Sequence, residues 1–312
     1  MSPSKGQFPD EQATDGSFER QEDAFREWVT ADSASAFPAA AGRYHLYVSL
    51  ACPWACRTII VRKLKGLEDA IGMTIVDPIR DERGWRFTTA EPDPVNGWQF
   101  LREAYTASDP AYSARVTVPV LWDKQRRRIV SNSDDDIMRM LESQFDAFAG
   151  NPKLDLYPRE LRGQIDELNE FLYATFNNGV YRAGFATSQE AYEAAAYEVF
   201  TAVDAMEERL AYRRYLFGER PLETDWRFFV TLVRFDPVYY GHFKCNLRRI
   251  VDYPNLYGYL RDLYQIDGIA ETLNFDHIKR HYYMTHDDIN PTRIVPIGPL
   301  IDLTAPHDRD SL

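Results

Sequence analysis

A thiol, a proline and a tryptophan meet at Cys52, Pro53 and Trp54, where "LYVSL" gives way to "ACRTIIVRKL". A thiolate is a far better nucleophile than a thiol. The first turn of a helix favours negative charge, because its backbone N–H groups have no acceptor inside the helix. Proline is pre-shaped for the first helical position and has no N–H to leave unpaired there. The pattern makes Cys52 a candidate nucleophile at a helix start; a buried, inert cysteine is the competing reading. Cys56, one turn on, shares the helix face of Cys52 and could either resolve an oxidised Cys52 or simply pack. With Cys245 as the third and last cysteine, and no CxxC or Cys/His pairing, neither a disulfide framework nor a metal site is expected. A second local signal is "TVPV", Thr117 to Val120. X–Pro is the bond at which a cis peptide costs little, and a proline suits the opening of a strand. A cis Val118–Pro119 would turn a backbone N–H and C=O toward the peptide backbone of a thiol cofactor. The alternative is an edge strand with a trans proline.

These residues need elements to hold them. "RYHLYVSL" has strand composition, "ACRTIIVRKLKGLE" places Ile59, Ile60, Leu64 and Leu67 near helical spacing, and "IGMTIVDPI" reads as a second strand. Such a β-α-β unit favours a parallel pair. Residues 80–112 are dense in Pro, Gly, Asp and Trp and read as an insertion. "RVTVPVLWD" and "RRIVSN", joined by the basic turn "KQRRR", have a hairpin signature, and "SDDDIMRMLESQF" is a helix with acids in its first turn. That order is thioredoxin-like. Strand signals then nearly vanish. Leu161, Ile165, Leu168, Leu172 and Thr175 mark an amphipathic helix. A second helix starts at a capping box from Thr187 to Glu190 and runs through Val199, Val203, Met206 and Leu210; "DWRFFVTLVRF", apolar nearly all round, reads as a buried central helix. The expected organisation is an arm over 1–42, a thioredoxin-like domain over 43–145 with its insertion at about 80–112, a linker over 146–158, an all-helical domain over 159–284 and an extension over 285–312.

A net charge of −12 argues against a nucleic-acid partner, which needs a basic face to neutralise phosphates. No apolar run approaches the roughly 18 residues that cross a bilayer, and the polar N-terminus has no signal-peptide core, so a cytoplasmic protein with no membrane partner is expected.

Long blocks of the chain resemble one family. "RYHLYVSLACPWACRT", "GW" at Gly84 and Trp85, "DPAYSARVTVPVLWDK", "IVSN", "NNGVYRAGFATSQEAY", "TLVRFDPVYYGHFKCN", "GIAETLNFDHIKRHYY" and "INPTRIVPIGP" are similar to the glutathionyl-hydroquinone reductases, the Xi class of the glutathione transferase fold. The resemblance implies a thioredoxin-like domain followed by an all-helical one, and a homodimer built largely through the second. It also implies that Cys52 attacks the sulfur of an S-conjugated hydroquinone, releasing the hydroquinone and leaving a mixed disulfide that a second thiol molecule resolves. Cysteine suits this, since the Ser or Tyr of conjugating transferases cannot form a disulfide. The departing ring carbon needs a proton, and the family's acid matches Tyr181; Tyr239 and Tyr282 match tyrosines that hydrogen-bond nucleophile or substrate. With 19 tyrosines in the chain, ordinary packing is the competing fate for each. Pro53, Trp54, Trp85, the stretch Val116, Thr117, Val118 and Pro119, and the residues after Asn132 match the thiol site.

The chain departs from the family at two places. Glutathione transferase folds generally open their third helix with an acid then a serine, which hold the γ-glutamyl ammonium and carboxylate. The reductases usually read Asn-Glu-Ser, whereas this chain reads Asn132-Ser133-Asp134. Helix-start N–H groups with Ser133 could still hold a carboxylate, and Asp134 an ammonium. Only seven of the 36 basic residues are lysine, a bias of high-GC genomes, and some high-GC bacteria use mycothiol, which has no γ-glutamyl group. Glutathione or mycothiol is therefore the expected co-substrate. Leu222 stands where the fold commonly caps its buried helix with Thr or Ser, which should weaken the cap by about 1 kcal/mol. The rival activities are a glutathione transferase, a dehydroascorbate-type thiol transferase, and a non-catalytic ligand-binding protein of the same fold.

Overall fold

The computed structural model describes residues 8–90 and 92–312. They form two compact units, one from 22–155 with 271–281, the other from 8–21, 156–270 and 282–312.

The first unit carries β1 (Tyr44–Val48), α1 (Pro53–Leu64), β2 (Gly72–Ile75), α2 (Arg102–Ser108), β3 (Val120–Asp123), β4 (Arg128–Ser131) and α3 (Asp134–Ser143). β1 pairs in parallel with β2 from His45–Gly72 to Val48–Ile75, as the β-α-β reading requires, and antiparallel with β3, which pairs antiparallel with β4. The order is β2-β1-β3-β4. Every residue of β1 is buried, as expected of a central strand covered on both faces. A buried ion pair between Arg43 and Asp123 closes one end of the β1–β3 pair.

Residues 80–112, read as an insertion, are fastened to this sheet and contain α2. Buried Asp93 accepts from Tyr47 Oη at 2.9 Å and from the amides of Val95 and Asn96, and Trp98 meets Trp122 edge-on at 4.9 Å. The start of the linker is pinned too. The buried Lys65 ammonium reaches Asp146 at 2.6 Å and the Leu154 carbonyl at 3.2 Å. Gly66 takes a left-handed φ of +62°, and a Cβ there would sit 3.1 Å from the Gly150 Cα. Composition suggested an extended arm over 1–42, and its first seven residues lie outside the described ones. Residues 22–42 instead lie along the first unit, where the Glu27 amide donates to the Val130 carbonyl and the Phe25 amide to Asn132 Oδ1. Backbone polar groups need partners wherever they are buried, and here they are found in β4 and the turn that follows it.

The second unit is helical: α4 (Arg162–Leu172), α5 (Gly179–Gly184), α6 (Gln189–Leu210), α7 (Glu223–Arg234), α8 (Pro254–Gln265) and the end of α9 (Phe275–Thr285), whose first turns belong to the first unit. π-helical turns at Tyr173–Asn177 and Phe235–Tyr239 follow α4 and α7, so Thr175, expected on the α4 stripe, lies in the first of them. The cap of α6 differs from the sequence reading. Ser188, not Thr187, is the N-cap, its Oγ accepting from the Ala191 amide at 3.2 Å, while the Thr187 amide donates to Gly16 O at 2.9 Å. Residues 8–21, absent from any local pattern, supply that competing acceptor. Every residue of α7 is buried. Its N-cap Leu222 offers no side-chain acceptor, but Asp225 Oδ2 accepts from the Leu222 amide at 2.8 Å. Among the described residues no helix is long and apolar enough to cross a membrane.

Candidate active site

Cys52 is the N-cap of α1, with extended backbone (φ −75°, ψ 122°) and no side-chain cap bond; Pro53 follows in the first helical turn. Its Sγ lies 3.6 Å from the Val118 carbonyl oxygen. Of the three thiols Cys52 alone is not buried. Burial pushes the Cys245 thiol up to about 12, so it stays protonated at neutral pH. Cys56 is buried with its Sγ 4.0 Å from the Thr272 carbonyl, in the packed position rather than beside solvent.

The Val118–Pro119 bond is cis. The Val118 carbonyl faces the Cys52 thiol rather than standing open, and Thr117 is braced: its carbonyl accepts from Tyr105 Oη at 2.8 Å, its amide donates to the same oxygen at 3.2 Å, and Asn132 Nδ2 donates to its Oγ1. Val116 and Val118 are buried beside it. Trp85, also buried, stacks on the His281 ring at 4.9 Å.

At the start of α3, Ser133 is the N-cap and its Oγ accepts from the Asp136 amide at 3.3 Å. Asp134 Oδ2 lies 2.7 Å from Arg57 Nη1. Arg57 is 1% exposed, and its guanidinium lies over the Trp54 ring at 4.6 Å. One hydrogen-bonded and stacked chain thus joins Trp54 and Arg57 of α1 to Asp134 of α3, while Cys52 meets Val118. Sequence reasoning missed Arg57, because an arginine on a helix reads as solvated; the signal was its place between Trp54-Ala55-Cys56 and Ile59-Ile60-Val61. Arg57→Met keeps the stem and removes the counter-ion of Asp134. It is expected to destabilise the protein by about 3 kcal/mol, read from the urea midpoint, since breaking a buried pair costs more than the pair contributes.

The second unit brings the three tyrosines together. Tyr181 Oη lies 2.5 Å from Tyr282 Oη and 3.5 Å from Tyr239 Oη, and Tyr239 and Tyr282 are 3.0 Å apart. α5 positions Tyr181, the π turn after α7 positions Tyr239, and α9 positions Tyr282. Tyr239 and Tyr282 are 0% and 1% exposed; burial above all, and then their neighbouring phenols, hold both far above the usual tyrosine range. They are proton holders, not anions. Tyr181, at 8%, is the member that keeps some exposure. Phe243 stacks against Tyr239 and His286, and His286 is hydrogen-bonded to His242 at 3.1 Å. Burial pushes His242 down to about 4, so it is neutral at physiological pH.

Comparison with known proteins agrees with both descriptions. Residues 51–144 match the family model for the glutathione S-transferase N-terminal domain, and residues 189–262 that for the C-terminal domain. The chain is 53% identical to glutathionyl-hydroquinone reductase YqjG of Escherichia coli over 96% of this chain and 94% of that one. The glutathione-bound structure of that protein superposes with a TM-score of 0.88, covering 92% of this chain and 96% of that chain. Glutathionyl-hydroquinone reductase PcpF of Sphingobium chlorophenolicum is 48% identical over 93% of this chain and 92% of its own. The Xi class transferase of Natrialba magadii is 50% identical, with a TM-score of 0.91 and 96% of each chain covered. With identities of this size over nearly the whole length, the chain belongs to the glutathionyl-hydroquinone reductases, the Xi class of the glutathione transferase fold.

Proposed function

We propose that this protein is a thiol-dependent reductase of S-glutathionyl hydroquinones. The observation that carries the reading is Cys52, the one unburied thiol, at the first turn of α1. The thiolate attacks the substrate sulfur, forming an S–S bond. The C–S bond breaks with its electron pair going to the ring carbon, which takes a proton and leaves as hydroquinone. A second glutathione then displaces Cys52 from the mixed disulfide, giving oxidised glutathione. Two electrons pass from the thiols to the aryl carbon and none to a cofactor. The proton source is the tyrosine cluster, with Tyr181 as the donor and Tyr239 and Tyr282 as the groups that hold its hydroxyl in place.

Pro53, Trp54, Trp85, Val116, Thr117, Val118, Pro119, Ser133 and Asp134 make up the proposed thiol site. Relatives solved with glutathione bound support that thiol as co-substrate. Mycothiol is the second reading, favoured by one observation: Ser133 Oγ is engaged in capping and Asp134 in the Arg57 pair. A γ-glutamyl ammonium would have to share Asp134 with Arg57, while the Ser133 hydroxyl, which accepts in the cap, keeps its proton for a carboxylate. Family membership supports a homodimer, and a reaction that consumes a reduced low-molecular-weight thiol suits a reducing compartment such as the cytoplasm.

The test is intact mass after incubation with a glutathionyl or a mycothiol conjugate of a hydroquinone. The expected result is a thiol-sized adduct, lost in Cys52→Ala, with free hydroquinone released; the conjugate that labels faster identifies the thiol. No adduct and no hydroquinone from either conjugate sinks the reading.

A further inference from the structure

We propose that Arg20, carried by the N-terminal arm, is a positioning residue for proton delivery by Tyr181, its cation stabilising the negative charge left on that phenol when the proton departs. This rests on the reading of Tyr181 as the acid.

Arg20 lies outside every pattern that pointed to the site, yet the second unit holds it in place from several sides. Its guanidinium carbon is 4.8 Å from the centre of the Tyr181 ring, and its Nε donates to Asn178 Oδ1 at 2.9 Å, one turn before Tyr181 on the same run of chain. The arm that carries it is anchored in detail. Phe18 is buried and meets Phe185 at 5.2 Å, and Phe8 meets the same ring at the same distance. Gly16, at φ +90°, comes so near Ser188 that a Cβ would sit 2.8 Å from its amide nitrogen. The Thr187 amide donates to Gly16 O, Ser188 Oγ donates to Asp15 O, and Gln12 Nε2 donates to both Gly16 O and Ser17 O. These contacts fix the backbone just before Arg20, so its charge is delivered at a defined place.

A cation over the face of a phenol is attracted to the ring's electron-rich face, and more strongly once the ring carries negative charge. When Tyr181 gives its proton to the departing ring carbon, its O–H bond breaks and a C–H bond forms on the hydroquinone. The charge appears on a phenol whose hydroxyl neighbours, Tyr239 and Tyr282, are buried and neutral. Their hydroxyls can donate to the new oxyanion; Arg20 is the formal positive charge placed over the Tyr181 ring. An interaction stronger in the transition state than in the ground state acts on kcat rather than on KM. Asn178 keeps the guanidinium from swinging off the ring.

The experiment uses the full chain with an S-glutathionyl hydroquinone and excess glutathione, and compares Arg20→Met, which keeps the packed stem, with Arg20→Lys, which keeps the charge. Arg20→Met is expected to lower kcat for hydroquinone release about tenfold with KM changed less than about twofold, and Arg20→Lys to retain about half of wild-type kcat. Reduction of a preformed Cys52–glutathione disulfide, which moves no proton to carbon, should be unchanged in both. If Met works as well as Lys, Arg20 only packs the arm and the proposal is overturned; a rise in KM at constant kcat overturns it equally. Should Arg20→Met fail to fold, Arg20→Gln removes the charge while leaving a donor for Asn178. Tyr181→Phe separates the two ideas. If it turns over at the wild-type rate, the acid assignment falls and the role of Arg20 with it. If it is slow while Arg20→Met is not, only the role of Arg20 falls.

Discussion

Cys52→Ser is expected to abolish hydroquinone release, by on the order of 10⁴-fold in kcat/KM, while making the protein slightly more stable. The loss follows from chemistry. An alcohol at neutral pH has almost no anion to attack sulfur, and a serine cannot form the mixed disulfide that the second thiol must break. The gain follows from position. Cys52 occupies the N-cap of α1 and its side chain makes no cap bond there. Serine is among the best N-cap residues, and its oxygen can accept from an N–H of the first turn, a difference of about 0.5–1 kcal/mol. Single-turnover release and a urea midpoint measured on the same preparation read the two effects. Activity and stability should move in opposite directions; an active Cys52→Ser protein would place the nucleophile elsewhere.

The other large effect belongs to the helical unit. Asp225 is buried at the start of α7, its Oδ2 accepting from the Leu222 amide, its Oδ1 from the Leu216 amide at 2.9 Å and from Tyr259 Oη at 2.8 Å. Asp225→Ala leaves these buried donors without their acceptor and should cost about 3–5 kcal/mol at pH 7, seen as a shifted urea midpoint. The pH dependence has a definite sign. Burial raises the folded carboxyl from 3.8 to about 6, so between those values the folded protein binds more protons than the unfolded chain, and this group's contribution to stability grows as pH falls. The gap between wild type and Asp225→Ala should widen by about 1 kcal/mol from pH 7 to pH 5. A gap that narrows instead would mean that the three donors outweigh burial and hold the carboxylate low.

What could be read in advance were the features that repeat along the chain or sit within a few residues of one another. Strand and helix periods found the β2-β1-β3-β4 unit and α3, and the pairing of Cys52 with Pro53 located the start of α1. The buried stripe of α6, Val199 to Leu210, followed the 3.6-residue period. Long-range features left no such trace. The sequence pattern put the cap of α6 at Thr187, whereas Ser188 holds it, and the arm carbonyls of Gly16 and Asp15 that these two hydroxyls meet lie more than 170 residues away. Arg57 looks like a surface charge until Asp134 is seen beside it. The tyrosine cluster draws on three separated stretches, and nothing local marks Tyr181 among 19 tyrosines; the family resemblance singled it out, and the geometry then joined it to Tyr239 and Tyr282.

The anchoring of the arm also sets a timetable for synthesis. Phe8, Gly16 and Arg20 leave the ribosome more than 150 residues before their partners Asn178, Phe185, Thr187 and Ser188. At about 5–20 residues per second, roughly ten to thirty seconds pass before those partners exist. Throughout that interval Phe8 and Phe18 have no Phe185 to cover them. The nascent chain therefore carries an apolar N-terminal segment in search of a surface, and residues 22–42, whose partners in β4 and the turn after it emerge sooner, can dock first and hold it near its own chain. Residues 8–21 are thus made well before the surface that holds them.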